Sequence, residues 1–116
     1  MPGFVHLHSH TEYSILDGVA KIDSFIEKVK GHGMNAAAIT DHGVMYGNYE
    51  FWQKCKYAGI KPILGCEIYV AERTRHDKTA GIDNKRYHLT LLAKNKEGYH
   101  NLLKIASIAQ TEGYYY

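Results

Sequence analysis

The chain has 116 residues, and its 14 Lys and Arg against 12 Asp and Glu give a formal charge of +2. That length suits one small domain or part of a larger one. Hydrophobic residues make up 45% and charged residues 22%, which favours a globular fold over disorder, and the near-neutral charge disfavours a strongly basic nucleic-acid module. No apolar run approaches the roughly 18–20 residues of a membrane span, and we expect no signal peptide. Cys55 and Cys66 are typical of reduced thiols, which predicts a cytoplasmic protein.

The hydrophobic pattern predicts alternating strands and helices. Apolar residues recur at the helical spacing i, i+3, i+4 and i+7 from Ile22, glycines follow the first two predicted helices, and Asn95 has the position of an N-cap. The predicted elements are, in chain order, a strand over 4–8, a helix over 23–30, a strand over 35–40, a helix over 48–57, a strand over 61–64, a break at 65–67, an extended stretch over 68–71, a strand over 87–93 and a helix after 95.

This repeated order of strand and helix with short connections predicts an α/β fold in which parallel strands alternate with helices. About four such units can be counted, which is too few to close a barrel of eight strands and about 250 residues. We therefore expect the front part of a larger barrel-like domain.

One polar segment, residues 73–86, interrupts the alternation. It holds five basic residues and two acidic residues, so the whole positive excess of the chain lies on it. A solvated, mobile loop is one interpretation of this composition, and a loop that contacts phosphate groups is the other.

Histidine is concentrated near the amino terminus, where three of the eight His residues fall within His6-Leu7-His8-Ser9-His10. Residues i and i+2 of a strand project to the same face, so His8 and His10 can chelate one metal ion or bridge two. Asp17 follows in a predicted turn and can add a carboxylate. A solvated or hydrogen-bonded His ladder is the alternative, but a His pair at a strand end with an acid after it favours metal.

Three further candidates lie at predicted strand boundaries. His42 follows the strand over 35–40, at the carboxyl end where α/β barrels place active sites. Glu67 follows the strand over 61–64, where a carboxylate can bridge two cations. His88 opens the next strand and repeats the placement of the other candidates.

Several neighbours of these candidates have other predicted roles. Asp41 can orient a ligand or cap a helix. Strand alternation turns Cys66 away from the site and into the core. His32, His76 and His100 lie at a helix end, in the polar segment and on the last helix, and we expect them outside the site.

Mixed His, Asp and Glu ligation suits zinc, manganese or iron and disfavours a pure calcium or magnesium cage. Several such ligands around one mouth predict a centre of two or three ions. The natural chemistry of such a centre is attack on a phosphoester by hydroxide bound to the metal, which requires no side-chain nucleophile.

Four motifs together resemble the PHP family, the polymerase and histidinol phosphatase superfamily. They are His-Leu-His-Ser-His-Thr-Glu-Tyr-Ser-Ile-Leu-Asp-Gly (6–18), Ile-Thr-Asp-His-Gly (39–43), Gly-Ile-Lys-Pro-Ile-Leu-Gly-Cys-Glu (59–67) and His-Leu-Thr-Leu-Leu-Ala-Lys-Asn (88–95). The combination is highly specific, although each motif alone is not. Within the family, the chain is most similar to the branch that forms the amino-terminal domain of bacterial replicative DNA polymerase catalytic subunits.

The resemblance implies a distorted (β/α)7 barrel with up to three divalent metal ions at its carboxyl face. By position, the implied metal ligands are His8, His10, Asp17, His42, Glu67 and His88. His6 stands where many relatives have Asp and is left out of this set. The family's later ligands and the polymerase domains fall beyond residue 116, so residues 1–116 are identified as a partial PHP domain with reduced metal affinity and no expected activity in isolation.

The resemblance leads to three functional hypotheses. The first is a part of a replicative DNA polymerase whose PHP site acts as a metal-dependent 3′–5′ proofreading exonuclease or supports the polymerase structurally, with DNA and other polymerase subunits as partners. The second is a stand-alone phosphoesterase acting on a small phosphate such as histidinol phosphate. The third is a non-enzymatic scaffold with structural metals. The sheet edges of an open half-barrel also predict oligomerisation.

Overall fold

A computed structural model describes residues 3–114 of the chain. The elements are, in chain order, α1 (Ile22–Gly31), β1 (Ala36–Ile39), α2 (Asn48–Ala58), β2 (Lys61–Ala71), β3 (Arg86–Leu92) and α3 (Lys96–Thr111). The predicted domain span of 1–116 therefore includes residues 1–2 and 115–116, which lie outside the described range. In the described part, no helix is both long enough and apolar enough to cross a membrane.

The three helices form where the hydrophobic periodicity predicts them, because their signals are local. Gly33 after α1 has a φ of +71°, and Gly59 at the end of α2 has a φ of +74°. Both conformations suit glycine and stop a helix. The side chain of Asn95 accepts a hydrogen bond from the backbone N–H of Gly98 at 2.9 Å, so the predicted N-cap of α3 is confirmed.

The three strands form one sheet in the order β1-β2-β3. β1 and β2 are parallel, with Ala36 opposite Lys61, whereas β2 and β3 are antiparallel, with Gly65 opposite Leu92. The α/β class with a parallel pair is confirmed, but the expectation that every strand is parallel is wrong for β3. A parallel neighbour needs a crossover connection, and residues 72–85 contain no helix, so the chain returns directly along β2 as a long hairpin.

The polar segment that closes this hairpin is held by ion pairs. Arg73 Nε donates to Asp83 Oδ1 at 2.8 Å, and Arg75 Nε donates to Glu112 Oε2 of the chain beyond α3 at 2.7 Å. Part of the positive excess on this segment is therefore neutralised by carboxylates, and the second pair ties the segment to the end of α3.

Two apolar clusters cover the sheet. The first joins α1, β1 and α2 and consists of Ile22, Ile26, Val29, Ala37, Ile39, Phe51, Cys55 and Ile60. The second lies between the hairpin and α3 and is built on Met45, Cys66 and Leu102. Burial raises the pKa of the Cys66 thiol to about 11, so this thiol stays protonated at neutral pH. The predicted placement of Cys66 in the core is confirmed.

The predicted first strand, over residues 4–8, is not a strand in the structure. The segment does run along β1, because Ala38 N donates to His6 O at 2.9 Å and Thr40 N donates to Ser9 O at 2.8 Å. Between these two bonds the segment advances three residues, from His6 to Ser9, while β1 advances two, from Ala38 to Thr40. The hydroxyl Oγ1 of Thr40 accepts a hydrogen bond from the backbone N–H of Ser9 at 3.0 Å. A side-chain hydroxyl thus replaces a backbone carbonyl, and the regular ladder is lost.

The break predicted at residues 65–67 is also wrong, because β2 continues without interruption for 11 residues. Glycine has a different purpose here. A Cβ built on Gly65 would lie 2.5 Å from Leu91 O and 3.0 Å from Thr40 Cγ2. Gly65 therefore lets the backbone of β3 approach β2 closely, and Glu67 stands within a long strand and not in a turn.

A compact turn over residues 11–18 follows the segment that carries His6, His8 and His10. Gly18 N donates to Ser14 O at 2.8 Å, and a Cβ on Gly18 would lie 2.1 Å from Thr11 O, so this position requires glycine. Leu16, between them, has a φ of +78° while its side chain is 99% exposed. A β-carbon in this left-handed region costs about 1–2 kcal/mol, so the turn holds a strained residue that makes no buried contact.

We expect the Leu16→Gly substitution to raise the free energy of unfolding by up to about 1 kcal/mol, because it removes this strain and loses no packing. Urea denaturation followed by circular dichroism measures the change. Val19→Gly is the matched control: Val19 is 96% exposed just after the same turn but has no positive φ, so its replacement should cost about 0.5–1 kcal/mol. A Leu16→Gly protein less stable than the wild type would show that the positive φ of Leu16 stores no strain.

Candidate metal centre

Glu67 occupies the middle of the candidate site. The loop after β1 is bonded to both sides of its backbone, since Glu67 N donates to Asp41 O at 3.0 Å and Gly43 N donates to Glu67 O at 2.9 Å. His42 and Glu67 thereby form an isolated parallel bridge that prolongs the pairing of β1 with β2. With an exposed fraction of 6%, Glu67 is a buried carboxylate on a rigid element.

His8 and His10 approach Glu67 from the segment that runs along β1. The Nε2 atom of His8 lies 2.8 Å from Glu67 Oε2, and that of His10 lies 2.6 Å from the same oxygen. The two imidazole rings are 5.1 Å apart. Although the segment is not a strand, its backbone bonds to β1 are sufficient to direct both rings to one carboxylate oxygen.

Asp41 fixes the chain that follows His10. Its fully buried carboxylate accepts hydrogen bonds from Thr11 N at 2.6 Å, from Thr11 Oγ1 at 2.8 Å and from Ser14 Oγ at 2.8 Å. Ser14 Oγ in turn accepts a hydrogen bond from His42 N at 3.0 Å. Asp41 caps no helix, since α2 begins at residue 48. The expected capping role is therefore wrong. The hydrogen bonds of Asp41 hold the backbone after His10 beside that of His42, and a role in orienting metal ligands stays a prediction.

His42 connects the buried and exposed parts of the cluster. Its Nδ1 atom lies 3.5 Å from Glu67 Oε2, and its Nε2 atom lies 3.5 Å from Asp17 Oδ2. The Nδ1 atom is buried and makes no hydrogen bond in the described structure. Asp17 is on the rim, with 62% of its side chain exposed. The His42 ring also lies 4.0 Å from the His10 ring, centroid to centroid.

His88 enters from the hairpin, with its Nδ1 atom 3.0 Å from Glu67 Oε1. Its pairing partner across the ladder is Tyr69, whose ring meets His88 edge-on at 4.9 Å and lies parallel to the His42 ring at 6.2 Å. The Arg86 guanidinium lies 5.4 Å from the Tyr69 ring centroid. Tyr69 and Arg86 are not among the residues predicted from the sequence. Their spacing of two residues from Glu67 and from His88 places them on the same face of each strand and is the signal that could have found them.

The electrostatics of Glu67 reflect these contacts. Burial raises the pKa of its carboxyl group, but hydrogen bonds to His8, His88 and His10 and the proximity of His42 outweigh burial and hold the pKa at about 2. The carboxylate is therefore ionised throughout the neutral range. In the metal-free protein, the stability that this low pKa contributes is complete above pH 4.5 and is lost as the pH falls toward 2.

The donor atoms fit divalent cations. One ligand set consists of His8, His10 and Glu67, a second consists of His42, Glu67 and His88, and within each set the candidate ligand atoms lie within 4.8 Å of one another. Both sets contain Glu67. Four imidazoles around one carboxylate, with the Nδ1 atom of His42 buried and unpartnered, form an arrangement that a cation would complete. Nitrogen and carboxylate donors suit zinc, manganese or iron.

The structure brings all six predicted residues into one cluster, namely His8, His10, Asp17, His42, Glu67 and His88. Their role as metal ligands stays a prediction. His6 lies outside the cluster, with its ring against Phe4 at 4.7 Å. His76 lies 3.7 Å from Glu112 and is not among the residues that contact Glu67.

Comparison with known proteins assigns the family. Residues 6–116 match the PHP domain. The chain belongs to the PHP family. The family expected from the four motifs is therefore confirmed, and the match covers every residue of the His and Glu cluster.

Relatives of this PHP domain are named as DNA polymerase subunits. Proteins named DNA polymerase III subunit alpha are 49% identical in Borreliella burgdorferi, 46% in Treponema pallidum and 42% in Aquifex aeolicus. Each comparison covers 97% of this chain and 10% of the relative, so the chain spans about a tenth of the length of these relatives. It is homologous to their amino-terminal region. The polymerase branch predicted from the sequence is confirmed, and the histidinol-phosphatase alternative has no better support.

Solved structures confirm the fold. A protein of Bifidobacterium adolescentis named as a metal-dependent phosphoesterase superposes with a TM-score of 0.58 at 20% identity, covering 89% of this chain and 33% of that one. An amidohydrolase of Chromobacterium violaceum, with bound sulfate and no metal, gives a TM-score of 0.59 at 20% identity, with 90% and 34% covered. The PHP domain described here is accordingly consistent with a partial PHP barrel.

Proposed function

We propose that this PHP domain holds divalent metal ions for phosphoester hydrolysis. The proposed ligands are His8, His10, Asp17, His42, Glu67 and His88. The observation that carries the proposal is the Glu67 carboxylate, whose two oxygens lie 2.6–3.0 Å from imidazole nitrogens of two segments far apart in the chain. A third segment brings His42 to 3.5 Å. Such convergence on one buried carboxylate has no evident purpose in packing.

The composition of the cluster favours zinc, manganese or iron, and up to three ions. Since Glu67 belongs to both ligand sets, it would be the shared carboxylate between two ions. Asp17 and His42, 3.5 Å apart at the rim, would contribute to a further position. When bound, the ions supply Lewis-acid activation of the phosphate and of water.

The chain's own groups prepare this chemistry. Glu67 stays ionised because its pKa is about 2, so it can accept a cation at neutral pH without losing a proton. Asp41 orients the backbone of the two loops that carry His10 and His42. Arg86, on the same strand face as His88, adds a positive charge beside the Tyr69 ring that contacts His88 and His42.

In the protein that carries this domain, the proposed reaction is removal of nucleotides from a 3′ end, as a proofreading exonuclease. The support is the family of the domain together with the polymerase relatives. On this proposal the partners are DNA and the other polymerase subunits, and the protein works in the cytoplasm. A purely structural contribution to DNA synthesis is the competing outcome.

Self-association is a further part of the proposal. Within residues 3–114, the sheet ends at β3, which has a neighbour on one side only. Tyr87 and Leu89 on this strand are 46% and 47% exposed. An unpaired edge with apolar side chains can accept a strand of a second copy, so oligomerisation through β3 is expected.

The exonuclease proposal predicts that the polymerase subunit containing this domain, loaded with Mn²⁺ or Zn²⁺, shortens a primer with a mismatched 3′ end. The assay omits nucleotides and pyrophosphate, so that the polymerase reaction cannot contribute. Addition of EDTA should abolish the activity. His8→Ala should lower it by about 100-fold, because loss even of a group that only supports a metal ligand typically costs about 10–100-fold. Gel analysis of primer length measures the rate.

His32→Ala is the matched control, because His32 is exposed at the end of α1, and this variant should retain wild-type activity. If wild type and His8→Ala shorten the primer equally, the exonuclease role is wrong. Metal analysis of the same samples shows whether each protein holds its ions. A site that is only structural would bind metal in the wild type and not in His8→Ala, while both proteins shortened the primer equally.

A further inference from the structure

A groove of about 560 Å³ lies between α2 and α3. Its floor includes Pro62 and Leu64 of β2. Successive residues of a strand point to opposite faces, so these two side chains lie on the face opposite to Glu67. The groove therefore shares no residue with the candidate metal centre and is independent of its chemistry.

One wall of the groove is aromatic. Tyr49 and Trp52 of α2 lie with their rings nearly parallel, at an interplanar angle of 22° and a centroid distance of 6.1 Å. Tyr49 is 62% exposed and Trp52 is 42% exposed. Tyr99 of α3 faces the same groove. Flat aromatic faces that remain open to solvent are the surfaces on which unpaired nucleic-acid bases stack.

The other wall is basic. Lys94 and Lys96 line the groove at the start of α3, and none of the described residues that line it is acidic. The positive end of the α3 dipole lies at the same place. A second groove, between α1 and α2, is lined by Asp23 and Glu27 and lacks this character. The pairing of open rings with lysines matches the bases and phosphates of a single strand.

We propose that this groove binds single-stranded nucleic acid. A base stacks on the Tyr49–Trp52 wall, and the adjoining phosphates lie against Lys94 and Lys96. Recognition is tolerant of sequence, because every base offers a π face and the phosphates are common to all strands. This binding function goes beyond the proposed phosphoesterase site and does not depend on metal.

The experiment uses Trp52 as its own probe, because it is the single Trp of the chain. The 116-residue chain is titrated with an oligothymidylate of about 12 nucleotides, within the range of single-strand site sizes, in EDTA. Quenching of Trp52 fluorescence is expected to saturate. Tyr49→Ala should weaken binding about tenfold. A plot of log affinity against log salt concentration should have a slope that is smaller in magnitude by about 1.4 in the double variant Lys94→Gln, Lys96→Gln. Each phosphate that a lysine no longer neutralises contributes about 0.7 to this change.

Matched controls lie on the same two helices. Tyr57→Ala on α2, where Tyr57 is 96% exposed outside this groove, and Lys104→Gln on α3 should bind as the wild type does. Absence of quenching would overturn the proposal, and so would equal weakening of binding in the control variants. Equal quenching by a polyglutamate peptide would also overturn it, since it would show a response to negative charge alone.

Discussion

We expect the Glu67→Gln variant to bind Zn²⁺ or Mn²⁺ about 100-fold more weakly than the wild type, or worse. Glu67 is common to both ligand sets, so one substitution damages both. The amide has the size of the carboxylate but carries no charge, and its NH2 group cannot accept a cation. Isothermal titration calorimetry measures the affinity.

Glu72→Gln provides the control for this experiment. Glu72 follows β2 directly, is exposed, and contacts only Lys85 at 4.0 Å among the ion pairs of the described structure. Its replacement should leave metal affinity unchanged. Equal affinities for Glu67→Gln and the wild type would show that this carboxylate is not a ligand, and the proposed centre would then be wrong.

The second large effect is expected at Asp41. Asp41→Ala should lower the free energy of unfolding by about 3–5 kcal/mol, because it leaves the N–H and hydroxyl of Thr11 and the hydroxyl of Ser14 without their buried acceptor. Asp41→Asn should cost less, about 1–2 kcal/mol, since the amide oxygen retains part of the acceptor capacity. Guanidinium denaturation of the metal-free chain measures both values.

Asp23→Ala is the comparison for Asp41. Asp23 also accepts a short hydrogen bond, from Lys54 Nζ at 2.8 Å, but its side chain is 70% exposed, so its removal should cost less than about 1 kcal/mol. If Asp41→Ala and Asp23→Ala destabilise the protein equally, the buried hydrogen bonds of Asp41 are not what holds the turn over 11–18. The metal affinity of Asp41→Ala should fall as well, because His10 and His42 lose their common support.

The parts of the fold that could be predicted are those whose signals are local. The periodicity from Ile22, the glycine that ends α2 and the N-cap at Asn95 each act within about one helical turn. The errors concern positions where distant backbone decides. A glycine at position 65 predicts a break in the strand. In the folded hairpin, its missing side chain instead makes room for the backbone of Leu91, and only the folded structure reveals this contact. The direction of β3 likewise depends on the absence of a helix from the connection.

Prediction of the candidate site depends on residue type more than on secondary structure. The expectation that His8 and His10 lie on a strand is wrong, yet their rings meet at Glu67 because the segment still follows β1. Asp41 is ambiguous from the sequence, because its partners Thr11 and Ser14 lie about 30 residues earlier and give no pattern of their own. A Thr or Ser in a turn is too common to be recognised as a hydroxyl donor for a buried acid.

The unequal lengths of the strands have a consequence for His88. β1 pairs with β2 only as far as Leu64, so in the described sheet the outer part of β2, from Ile68 to Ala71, has β3 as its sole strand neighbour. A ribbon of two strands is marginally stable by itself and frays more readily than a sheet interior. His88 belongs to this ribbon. Transient peeling of the ribbon would therefore withdraw one imidazole from Glu67, open the cluster from that side, and leave the other three imidazoles in position.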